Sequence, residues 1–98
     1  MRTFEMPFKT TRGALEQTLL ELGFTPTYGK NTFGFPYVEF RHNEVNAVVE
    51  MRAVDASEIL NPNDLLVAEH SVEWNGIADR KSFYRLLKDK TPSDMLAA

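Results

Sequence analysis

Only two imidazoles occur in the chain, His42 and His70. Histidine is the one side chain whose ordinary titration falls between pH 5 and 8. An imidazole beside a carboxylate is the minimum for general-base work. Glu44, Glu50 and Glu69 lie close to these histidines in sequence or strand position. His70, His42 and Glu50 are therefore the candidate catalytic residues. A simpler account serves as well: a hairpin-end histidine and a strand histidine, each satisfied by its neighbours. The two histidines stand far apart and show none of the close spacings of a metal site, so no metal is expected. Ser57, Ser71, Ser82 and Ser93 have no nucleophile-elbow context. Gly29 and Gly34 neither follow phosphate-loop spacing nor open a helix. No cofactor is expected, and the reading leans away from an enzyme.

A second chemistry lies near the C-terminus. Lys81, Arg85 and Lys88 are spaced four and three apart, so they line one face of a helix, with Arg80 and Lys90 beside them. Such a row can hold phosphates. An ordinary solvated helix face explains it more simply. The charge layout agrees with that, because residues 39–73 carry eight anions against two cations and the net charge is −3. A nucleic-acid partner is not expected.

These residues need a frame of 98 residues, which fits one domain over 1–98. The absence of cysteine excludes disulfides and thiolate metal sites. No apolar run reaches the roughly 20 residues that span a bilayer, and the first residues lack the apolar core of a signal peptide. The expected location is cytoplasmic, away from membranes.

Residues 37–54 organise the frame. Val38 and Phe40 share one strand face, and Val45, Ala47, Val49, Met51 and Ala53 share a face in the second half. Folding about Asn43-Glu44 sets Phe40 opposite Ala47, Val38 opposite Val49, Glu39 opposite Val48 and Tyr37 opposite Glu50. Glu44 disfavours a tight turn, so a longer loop is the alternative. Upstream, Phe4, Met6 and Phe8 alternate as an edge strand with Pro7. Thr10 or Thr11 then caps a helix with Ala14, Leu15, Leu19 and Leu22 on its apolar side, Arg12, Glu16, Gln17 and Glu21 elsewhere, and Gly23 at its end. Residues 24–28 form a second edge strand, marked by Pro26.

Asp55 and Glu58 resemble a capping box, which predicts one helical turn through Leu60. Residues 65–74 alternate, with Leu66, Ala68, His70, Val72 and Trp74 inward and Glu69, Ser71 and Glu73 outward, so they are read as a strand. A helix capped by Asn61 with Pro62 in its first position is the competing reading. Asp79 caps a last helix built on Phe83, Leu86 and Leu87. A short turn follows in 94–98.

The expected architecture is α+β: a single antiparallel sheet of four to five strands with two helices on one face, in the order β-α-β-β-β-β-α. The outer sheet face then stays uncovered and presents Tyr37, Glu39, Val48, Glu50, Arg52 and Val54. The function expected from this layout is an interaction module that forms a homodimer through that face or binds a protein partner. Nucleic-acid binding and a small enzyme or ligand binder centred on His70 are the alternatives.

Overall fold

A computed structural model describes residues 7–96. Helix α1 (Arg12–Glu21) begins where the Thr11 side chain accepts the amide of Ala14. It ends at Gly23, whose φ of 99° is open to glycine and costly for other residues. That turn sends the chain back along the helix as β1 (Phe24–Lys30), which pairs antiparallel with β2 (Pro36–His42). Between them, Asn31 Oδ1 accepts the amides of Phe33 and Phe35, closing a loop in which Gly34 takes φ 84°. Strand β2 then pairs with β3 (Val48–Arg52), and the sheet order is β1-β2-β3. Pro26 thus sits on an edge strand, where the missing amide hydrogen does least harm.

The register of β2 on β3 differs from the expected one. Phe40 faces Val49, Val38 faces Met51 and Glu39 faces Glu50, because residues 43–47 form a longer connection than a tight turn. The slip is two residues, so every side chain keeps its expected face. Val38, Phe40, Ala47, Val49 and Met51 are buried, whereas Val45 is exposed at the turn.

Larger corrections follow. Helix α2 (Pro62–Trp74) occupies the segment expected to be a strand. Asn61 Oδ1 accepts the amide of Asn63 and Pro62 opens the helix. Its buried residues, Leu65, Ala68, Glu69 and Val72, recur at helical spacing. Residues 4–6 of the expected first strand lie outside the described residues, and Pro7 and Phe8 form a bend. The described sheet therefore has three strands rather than four or five. With α3 (Arg80–Lys90) and the one-turn α4 (Ser93–Leu96), the order is α-β-β-β-α-α-α. The helical turn expected after Asp55 is a plain turn, in which Asp55 accepts the amide of Ser57. Ile59 then bridges to Thr11.

One core joins these parts. Leu15 and Leu19 of α1, Leu65 and Val72 of α2, and Phe83 and Leu87 of α3 pack with the inner sheet face. Burying each such leucine or phenylalanine contributes about 1.5–3 kcal/mol. The N-terminal segment is tied to the end of α3 through two hydroxyls. Thr91 gives its hydrogen to the carbonyl of Leu87, so Thr10, 2.5 Å away, must donate to Thr91.

Candidate functional site

The two histidines are not brought together: His42 ends β2 and His70 lies in α2. His42, at the end of β2, is engaged at both ring nitrogens. Its Nδ1 accepts the amides of Glu44 and Val45 at 3.1 and 3.2 Å. The other nitrogen must then carry the hydrogen, and Nε2 donates to the carbonyl of Leu22 at 2.8 Å. Phe24 meets the ring edge-on at 5.0 Å. His42 thereby ties the α1–β1 turn to the β2–β3 turn, with no ring nitrogen left for a substrate.

His70 is not inward, because its segment is helical. It lies on the solvent side of α2, with Trp74, itself 81% exposed, 6.1 Å from it between ring centres. Glu50 is exposed on the outer sheet face, on the side of the sheet away from the helices. Among the described residues no cluster of three or more metal-ligating side chains occurs.

Glu69, expected outward, is buried. Its two oxygens take a hydrogen bond from the Tyr84 hydroxyl at 2.6 Å and an ion pair from Arg80 at 3.1 Å. Burial, reinforced by the Glu69 carboxylate, pushes the Tyr84 hydroxyl far above the ordinary tyrosine range. This group bolts α2 to α3.

Lys81, Arg85 and Lys88 do share one exposed face of α3, as their spacing predicts, and none has an ion-pair partner among the described residues. Their flanking cations are occupied, Arg80 by Glu69 and Lys90 by Glu21 at 2.8 Å.

The outer sheet face carries Tyr37, Glu39, Val48, Glu50 and Arg52 in three cross-strand rows, whereas Val54, also expected there, lies beyond β3 and is half-buried. The register places Thr25, Arg41 and Val48 in one row, Thr27, Glu39 and Glu50 in the next, and Gly29, Tyr37 and Arg52 in the third. Glu39 and Glu50 stand directly opposite, an arrangement that disfavours pairing. Arg41 neutralises Glu39 at 2.9 Å, while Glu50 and Arg52 have no ion-pair partner among the described residues.

Arg12 is the residue that sequence reasoning missed. Helical spacing put it on the polar side of α1, yet only 1% of it is exposed. Residues 56–60 cross over the start of α1, where Glu58 and Ala56 accept the amides of Arg12 and Gly13 at 2.8 and 2.9 Å. Gly13 eases that crossing, because a β-carbon would meet the Ala56 oxygen at 3.0 Å, tighter than an ordinary contact. All three guanidinium nitrogens are buried without a hydrogen-bond partner among the described residues. The nearest carboxylates, Glu16 and Asp64, stand at 3.6 and 3.9 Å, beyond the roughly 2.7–2.9 Å of a charge-assisted bond. Burial draws the guanidinium below the ordinary arginine value, and Glu16 and Asp64 pull it back. It stays charged. Unmet buried donors cost about 1–3 kcal/mol each, more when charged. Beside it opens a cleft of about 170 Å³. No signal in the sequence marks this residue, since a single arginine early in an amphipathic helix is commonplace.

No helix among the described residues is long and apolar enough to cross a membrane. Compared with known proteins, the chain has no significant match to a family model, a curated protein or a solved structure.

Proposed function

We propose that this domain is a non-catalytic interaction module that pairs with a second copy of itself through the outer sheet face. The observation that carries this reading is the charge order on that face: Arg41, then Glu39 beside Glu50, then Arg52. The order is self-complementary. A twofold axis that offsets the two sheets by one row sets Arg52 of each copy over Glu50 of the other. Glu50 and Arg52, unpaired within the chain, then acquire partners. Val48, 36% exposed, and the half-buried Tyr37 supply apolar surface between the charges. About 800 Å² buried per copy suffices for a stable pair.

Sedimentation at tens of micromolar tests the reading. The unmodified chain should run at the mass of two copies, and Val48→Glu and Arg52→Glu should each run as one. The swap of Glu50→Arg together with Arg52→Glu should restore the pair. A single-chain mass for the unmodified protein would end the proposal. Nucleic-acid binding through Lys81, Arg85 and Lys88 is the second reading, supported by their lack of ion-pair partners. It calls for a salt-dependent affinity that the triple alanine variant loses.

A further inference from the structure

The geometry points to a carboxylate-binding site at Arg12, in the cleft where residues 56–60 cross the start of α1. The guanidinium is buried and lines the cleft together with Arg52, Glu58, Leu60, Asn61 and Asp64. It carries five donors in a planar fork, and its three nitrogens, all buried, have no hydrogen-bond acceptor among the described residues. The first amides of α1 are already taken by the carbonyls of Ala56 and Glu58 and by the Thr11 hydroxyl. The side chain, and not the helix end, is therefore the available donor.

A carboxylate fits this donor better than a phosphate does, on two grounds. Two coplanar oxygens match the guanidinium fork in bidentate fashion. The lining also sets Glu58 and Asp64 against Arg12 and Arg52, and Glu16 stands 3.6 Å from the guanidinium, so no positive charge is in excess there. A single negative charge is tolerated there, whereas a dianion would crowd two carboxylates. The cleft has room for about five water-sized groups, which suits a short acid or the last residue of a peptide. Asp64, at 3.9 Å, stands near enough to compete with the ligand for Arg12 without bonding it.

The test is a titration of the whole chain at fixed pH and ionic strength with acetate, inorganic phosphate, and a tripeptide bearing either a free or an amidated C-terminus. Melting temperature and the amide resonances of residues 12, 13 and 56–60 are followed. At tenfold excess over Kd, a carboxylate should raise the melting temperature by about 5 °C or more. Arg12→Met should abolish the response, and Asp64→Asn should tighten binding by removing the competitor. Stronger binding of acetate than of the tripeptide identifies a free acid as the ligand. Preference for the free-ended over the amidated tripeptide identifies a chain terminus. The site is refuted by no saturable response to any carboxylate, by tighter binding of phosphate, or by an equal response in Arg12→Met. Should Arg12→Met fail to fold, Asp64→Asn decides alone, and unchanged or weaker binding in that variant refutes the site.

Discussion

The two faces of the β2–β3 pair share one backbone and obey different rules. On the inner face Val38, Phe40, Val49 and Met51 lie opposite one another and are excluded from water. Every choice there agrees with the fold. On the outer face the same register sets Glu39 against Glu50, a pairing that works against the sheet. A face that stabilised only its own chain would do better with opposite charges across the strands. The inner face is thus explained by folding. The outer one is not, which is why its charge order carries the functional proposal.

Substitutions can break or sharpen that contrast. Phe40→Ala, on the inner face, should cost about 3–5 kcal/mol in denaturant unfolding. A loss under half a kcal/mol, roughly the scale of surface substitutions, would mean that the faces are not distinct. Leu19→Ala, in the helix that covers the inner face, should cost about 2–5 kcal/mol by the same measurement. Across the sheet, Arg41→Ala removes only an exposed ion pair with Glu39, and its effect on monomer unfolding should be about 0.2–1 kcal/mol. Glu50→Gln should change monomer stability by less, and in the stabilising direction, because it relieves repulsion from Glu39. Its expected gain is a few tenths of a kcal/mol.

Asp79 offers the mildest test, as a surface carboxylate that does serve the fold. Hydrogen bonds from Ser82 hold it below the usual carboxylate range. Its folded pKa is lower than its unfolded one, so its contribution is complete above the unfolded value and disappears as pH falls through the folded value. Asp79→Asn keeps a capping oxygen without the charge. It should flatten the fall of melting temperature below about pH 4.

The inner and outer faces were legible in the sequence because strand side chains alternate, and a two-residue slip in register leaves that alternation intact. Helix α1 was legible for the same kind of local reason, and its cap was narrowed to Thr10 or Thr11, of which Thr11 serves. Helix α2 was not, because Leu66, Ala68, His70, Val72 and Trp74 alternate as a strand would. Its true stripe runs through Leu65, Ala68, Glu69 and Val72, and a glutamate in that stripe disguised it. Glu69 is buried only because Tyr84 and Arg80, from the next helix, meet its charge. The Asn61-Pro62 signal was correct and was outweighed by a coincidence of spacing. Among candidate site residues, the α3 cations and the outer-face row lie where local periodicity put them. The role of His42 and the burial of Arg12 depend on segments distant in sequence, which no local pattern encodes.

The hydroxyl bond between Thr10 and Thr91 has a consequence for the order of assembly. Helix α1 packs more extensively on α3 than on β1, which follows it directly in sequence. During synthesis α1 and the hairpins emerge early, at about 5–20 residues per second. Their apolar surfaces then wait for α3, which supplies Phe83, Leu87 and Thr91. The nascent chain should therefore stay open, and sensitive to proteases and holding chaperones, until the Phe83–Thr91 stretch has cleared the ribosome. Closure at that moment joins the first helix to the third and completes the core in one late step.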